Sequence, residues 1–241
     1  MLVSPGVFVA TFLILIGATT VQSALGFGSN LVAMPLVVQF APDLVPGALL
    51  TAGLVLNLLM AIRDRSAVDL KPLKWALVGR FAGTLVGIGA LVILSERGIQ
   101  YVVAVAVLLM VAIAATSVAP NRTTRTMLGA GTISGFSAFT AGIGGPPVAL
   151  TFRDAQAPEI RGSLGVFFII GTGITVLGLI VSGELGTEHI TTILALVPAV
   201  VIGFFAGEPM HAVVDRGWMR PAILVLSAAS AIVLLLRLIL G

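Results

Sequence analysis

The sequence predicts an all-α integral membrane protein made of two inverted-topology repeats, each a broken re-entrant helical hairpin followed by three transmembrane helices. Three observations lead there. The composition suits a bilayer, with 58% hydrophobic and 10% charged residues and a mean hydropathy of +1.16. Apolar runs of about 20 residues, the length a spanning helix needs, recur along the whole chain. One interruption, QSALGFGSNLVAMP from Gln22 to Pro35, has an echo in AFTAGIGGPPVAL from Ala138 to Leu150. Setting Gly26 on Gly142 brings Gly28 onto Gly144, Val32 onto Val148 and Ala33 onto Ala149, all at an offset of 116 residues.

Each element follows from a run and its punctuation. Val7–Leu25 is the first span, and MLVSPGVFVATF lacks the basic n-region of a cleaved signal, so the first helix is expected to stay on the mature chain. After the break at Gly26 and Gly28, Leu31–Phe40 reaches only about 15 Å, half the hydrocarbon core of roughly 30 Å. Long spans are expected over Pro46–Ile62, Trp75–Leu94 and Ile99–Val118. The two halves join through Ala119–Thr126. Met127–Ala141 opens the second half, Pro146–Phe152 is its short segment, and Gly162–Ser182, Ile190–Val214 and Trp218–Leu240 complete it. Trp75 and Trp218 open spans beside charged loops and read as interface anchors. With no linker or low-complexity tract, one transmembrane domain over 1–241 is expected, its repeats covering 1–118 and 127–241.

The duplication reaches past the breaks. Ala76-Leu77-Val78 matches Ala195-Leu196-Val197, and Arg97-Gly98 matches Arg216-Gly217, both at an offset of 119, so one insertion of three residues separates the two alignments. If both hairpins return to the side they start from, the segments 63–74, 120–126, 153–161 and 215–220 share one side and hold ten of the 13 Lys and Arg. The positive-inside rule makes that side cytoplasmic and puts both termini outside, in a multi-pass protein of the cytoplasmic (inner) membrane. An odd number of crossings per half inverts the second half relative to the first. Such inversion is the layout of a secondary transporter, with its site between the repeats near the midplane. Val7–Leu25 is long enough to cross alone, so the first hairpin is expected to run deeper than the second.

Composition also excludes. A net charge of +3 and a pI near 10.2 would suggest nucleic acid in a soluble chain, but here the cations sit in short loops where they orient the protein, and no nucleic-acid partner is expected. The absence of Cys removes disulfides and thiolate chemistry, and two His cannot build a polyhistidine metal site, so neither metal nor cofactor is expected.

The breaks carry the chemistry. Inside a bilayer, non-helical backbone is tolerated only where it lines a cavity or is buried in protein, since each unpaired polar group costs several kcal/mol. Gly26, Gly28, Gly144 and Gly145 permit positive φ and close approach, Ser29 and Asn30 suit the N-cap of the following half-helix, and Pro146 suits a first turn. Two half-helix N-termini meeting in mid-membrane would present free N–H groups and a partial positive charge. A small anion is the natural guest. The structural alternative is close helix packing, which the four-residue spacing of Gly79, Gly83 and Gly87 resembles.

These residues resemble a known family, the sulfite exporter TauE/SafE family, also called the toluene sulfonate uptake permeases. The resemblance rests on Gln22-Ser23-Ala24-Leu25-Gly26-Phe27-Gly28 with the later Pro35, on Ser66-Ala67-Val68-Asp69-Leu70 ahead of a Gly-rich helix, and on Gly142-Ile143-Gly144-Gly145-Pro146-Pro147. It covers nearly the whole chain. It implies transport of sulfite, a sulfonate or a related small anion across the cytoplasmic membrane without an ATPase subunit. Substrate and direction vary among members, and the oligomeric state stays open, a homo-oligomer included.

Other polar residues in the spans carry two readings each. Gln22 and Thr140 precede the breaks and suit either donation to anion oxygens or interhelical bonding, as does Asn57 in mid-span. Arg80 can pair with an anion through two parallel hydrogen bonds, or snorkel, being six residues past Lys74. Glu208 and His211 share a helix face and suit proton coupling, or form a solvated pair at the span's end. Two rival functions remain. Gly135-Phe136-Ser137 with His189 or His211 would make an intramembrane serine protease dyad, and dipole-lined breaks also suit a passive anion channel.

Overall fold

The computed structural model describes residues 3–91, 93, 95–115 and 120–210, and beyond them isolated helical positions at 225, 228, 229, 232, 233 and 236. Among the described residues the regular structure is entirely helical: α1 Pro5–Leu25, α2 Ser29–Val37, α3 Gly47–Arg63, α4 Leu70–Leu91, α5 Glu96–Ala115, α6 Thr124–Ala141, α7 Gly145–Thr151, α8 Ala157–Val181 and α9 Ile190–Gly207. Both breaks are present, and the short segments expected over Leu31–Phe40 and Pro146–Phe152 are α2 and α7, each beginning and ending earlier than expected. Apart from those isolated positions, the last expected span with its anchor Trp218, and the end of Ile190–Val214, lie outside the described residues.

Among the described residues, three helical stretches are long and apolar enough to cross a membrane by length and composition: Pro5–Leu25, Ala157–Val181 and Thr187–Gly207. Polar and small residues gather on the inner faces of these spans and of other helices. On α4, Gly79, Arg80, Gly83 and Thr84 turn inward, whereas Val78, Phe81 and Leu85 are exposed. Buried Gln22, Asn57, Ser134, Ser137, Thr172 and Thr175 continue the pattern. Apolar residues outside and polar ones inside are what a lipid surround selects, and the protein is embedded in the membrane.

Glycine sets the distance between helices. On α4 and α6 the glycines interlock: a methyl group at Gly79 or Gly83 would sit 2.2 Å from Leu128 O or 2.0 Å from Thr132 O, and one at Gly131 or Gly135 would meet Ala76 O at 2.0 Å or Arg80 O at 2.1 Å. Backbone therefore touches backbone, the small-residue contact through which membrane helices associate. Gly87 extends the face against Phe139. The same device recurs twice. Gly203 and Gly207 of α9 lie on Thr19 and Ser23 of α1, and Gly162 and Gly165 of α8 lie on the backbone of Asp64 and Ala61.

Ion pairs tie one end together. Asp64 receives Arg63 Nε at 3.1 Å and Arg161 Nε at 3.3 Å. Arg63 also donates to Ser23 O at 2.9 Å, completing an orphan carbonyl at the end of α1. Arg122 reaches Glu159 at 2.6 Å and Asp69 at 3.6 Å. The segments 63–74, 120–126 and 153–161 thus share an end of the molecule; 215–220 lies outside the described residues. Trp75, with Lys74 Nζ 5.3 Å from its ring centre, opens the membrane-facing part of α4 beside this end.

Candidate functional site

Both breaks begin alike. α1 ends on Gly26 at φ 96°, whose N–H donates to Gln22 O at 2.7 Å, and α6 ends on Gly142 at φ 73°, whose N–H donates to Ala138 O at 3.0 Å. Left-handed backbone after a helix favours glycine, since a Cβ is crowded there. The breaks then diverge. Gly28 is a second left-handed residue at φ 114° and forms the N-cap of α2, whereas Gly144, at φ −117°, precedes α7. The expectation that Ser29 or Asn30 caps α2 is corrected here: the reversal needs a left-handed residue at the cap, so both fall inside the first turn. Pro146 does occupy the first turn of α7.

Their side chains bond across the site instead. Ser29 N–H donates to Gln22 Oε1 at 3.2 Å, and the Ser29 hydroxyl donates to the same oxygen. Gln22 Nε2 donates to Asn57 Oδ1 at 2.9 Å, joining the first break to α3. Asn30 Nδ2 donates to Gly142 O at 2.7 Å, joining one break to the other. Gln22 is thus an internal acceptor at the start of α2, with one of its two amide N–H groups committed to Asn57.

Between the breaks lies a cavity of about 40 Å³. The first break contributes Gln22, Gly28, Ser29, Asn30 and Leu31; the second contributes Ala138, Gly142, Ile143, Gly144, Gly145 and Pro146. Leu50, Gly53 and Asn57 of α3, Phe168 and Thr172 of α8, and Arg80 of α4 close it. The N–H groups of Gly28, Asn30 and Leu31 come before the first intrahelical donor of α2, Val32 N–H, and Asn57 keeps its NH2 once Gln22 has taken its oxygen. In α7 the two prolines leave N–H groups only on Gly144 and Gly145 at this end.

Arg80 does not snorkel. It is 1% exposed, with Nη1 donating to Ser134 Oγ at 2.8 Å, Nη2 to Thr175 Oγ1 at 3.4 Å, and the guanidinium carbon 5.1 Å from the Phe167 ring centre. Its Nε is buried without an acceptor, and no carboxylate lies within ion-pair distance among the described residues. Six residues from Lys74, the direction of that side chain is undetermined by sequence; the α4–α6 glycine contact turns it inward.

Of the other expected site residues, Gly26 packs on Ile160 and Arg161, and Phe27 lies against Gly145. Thr140 donates to Phe136 O at 2.8 Å in its own helix. Glu208 is exposed at the end of α9, and His211 lies outside the described residues. Ser137 donates to Ile133 O at 2.7 Å while His189 Nδ1 accepts from Gly186 N–H at 3.2 Å, so the imagined protease dyad of these two is not assembled. Gly53, Phe168 and Thr172 escape a reading centred on the breaks. Neither offset of the duplication, 116 or 119, sets Gly53 on Phe168 or Asn57 on Thr172, so the repeat held no signal for them.

The family described as Sulfite exporter TauE/SafE matches residues 11–234 of this chain. No curated protein and no solved structure matches it.

Proposed function

Since the chain belongs to the sulfite exporter TauE/SafE family, a family of membrane transporters, we propose that it is a secondary carrier of a small sulfur-containing anion, sulfite or a compact sulfonate, bound in the cavity between the breaks. One observation carries this: a fully buried arginine lines the cavity with no acidic partner among the described residues. A cation in the membrane interior is costly unless an opposite charge meets it, and an oxyanion can take two guanidinium N–H bonds at once. The NH2 of Asn57 and the N–H groups of Gly28, Asn30 and Leu31 are the further donors. A cavity of about 40 Å³ favours a small oxyanion, and a bulkier sulfonate requires a wider one.

Alternating access around this site is part of the proposal. Its support is the pairing of helices. If the duplication relates α1 to α6, α3 to α8 and α4 to α9, then the glycine contact of α1 with α9 and that of α6 with α4 are one contact made twice, and α3 with α8 is a self-pair on the axis. Inverted repeats in an inner-membrane protein, with the cationic loops cytoplasmic and both termini outside, fit that arrangement. Glu208, exposed just past the end of α9, and His211, outside the described residues, remain the proposed proton-coupling pair.

The test is uptake of labelled sulfite into proteoliposomes, with and without an imposed pH gradient. Saturable uptake that follows the gradient is expected. Uptake that does not saturate would identify a channel, and no uptake of sulfite or small sulfonates would remove the substrate assignment.

A further inference from the structure

Ser134 departs from its neighbours on α6. Thr132, Ser137 and Thr140 each donate to the carbonyl four residues back, at 2.9, 2.7 and 2.8 Å, the usual destination of a helical hydroxyl. Ser134 instead donates across the second break to Gly144 O, at 2.6 Å. A hydroxyl has one proton and a carbonyl only accepts, so the lone pairs left on Ser134 Oγ receive Arg80 Nη1–H at 2.8 Å. The polarity of this relay is fixed by the chemistry of its two ends. Ser134 itself is fully buried.

The other side of the guanidinium is shaped by a missing side chain. A methyl group at Gly171 of α8 would fall 2.1 Å from Arg80 Nε and 2.7 Å from Cζ. Any residue but glycine there displaces the guanidinium. Thr175, one turn on, donates its own proton to Gly171 O at 3.0 Å and so is left as an acceptor for Nη2.

We propose that Ser134 and Gly171 are positioning residues of the anion site: Ser134 holds the Arg80 guanidinium at the cavity wall and links it to the backbone of the second break, and Gly171 supplies the slot that admits it. This rests on the anion-carrier reading above. Two of the five guanidinium N–H groups go to hydroxyls that have nothing to offer but lone pairs, and the charge is left for an oxyanion.

The experiment is calorimetric titration of inorganic sulfite into the purified full-length chain, comparing wild type with Ser134→Ala, Ser134→Thr, Gly171→Ala and Arg80→Gln. Ser134→Ala should weaken binding about tenfold to a hundredfold, the value of one hydrogen bond to a charged group. Ser134→Thr, which restores the hydroxyl, should bind within about threefold of wild type. Gly171→Ala should lose at least about tenfold with Ser134 intact, and it carries the test should Ser134→Ala fail to fold. Loss in Arg80→Gln alongside wild-type affinity in Ser134→Ala and Gly171→Ala would overturn the inference alone, as would a Thr variant as damaged as the Ala one. Wild-type affinity in Arg80→Gln would overturn the anion site itself, and the inference with it.

Discussion

Replacing Arg80 by Met should leave the empty protein about as stable while making it indifferent to anions. An arginine at the centre of a membrane helix costs about 2.5–3.5 kcal/mol to insert. The one good bond to Ser134 at 2.8 Å offsets about 1.5–3 kcal/mol and the approach to the Phe167 ring about 1 kcal/mol, while the 3.4 Å contact with Thr175 adds little. Removing the guanidinium orphans neither hydroxyl, because Ser134 keeps Gly144 O and Thr175 keeps Gly171 O. The empty variant is therefore expected between about 1.5 kcal/mol less stable and about 1 kcal/mol more stable, where truncating a structural core residue costs about 2–5 kcal/mol. Thermal unfolding of the purified chain with and without sulfite reads both effects. At a hundredfold excess over Kd, sulfite should add about 2.7 kcal/mol to the wild type, on the order of 5–10 °C in Tm, and nothing to the variant. Empty Arg80→Met losing more than about 2 kcal/mol, or a retained sulfite shift, would refute the reasoning.

Other outcomes follow from the same contacts. Gly83→Ala drives a methyl group to 2.0 Å from Thr132 O and should sharply lower the yield of folded protein, whereas Gly89→Ala, with nothing within 4 Å, should behave as wild type by size-exclusion chromatography. Gly28→Val and Gly144→Val should abolish sulfite flux with the protein still inserted, the first through its φ of 114° and the second through a Cβ 2.8 Å from Arg80 Nη1; near-normal flux in both would sink the paired-break site. A Cys placed at the exposed Ser66 should react with a membrane-impermeant thiol reagent only from the cytoplasmic face, and external labelling would invert the topology.

Much of this architecture could be read from the residues because membrane helices are constrained by length and by backbone satisfaction. Val7–Leu25 had to be helical, and the glycines at 26, 28, 142 and 144 could be recognised as breaks because they interrupt segments that otherwise have no reason to stop. Details settled by packing were not legible. Arg80 has the same local sequence whether it turns to the cavity or to the headgroups, and the choice belongs to the interlock of Gly79 and Gly83 with Gly131 and Gly135. Ser29 and Asn30 look like caps because cap propensity is local, but the chain reversal gives the cap to Gly28 and frees both side chains for Gln22 and Gly142. Thr140 stands close in sequence to the second break, yet its hydroxyl returns to its own helix, while Ser134, ten residues before Gly144, reaches the site.

The most direct test of the anion site is crystallographic. Selenite, a heavier counterpart of sulfite, can be located by its anomalous signal in crystals of the full chain. The account expects one strong peak between the two breaks, within hydrogen-bonding distance of Arg80 and facing Asn57. A peak at the Arg63–Asp64–Arg161 cluster with the cavity empty, or ordered selenite only on the surface, would contradict it.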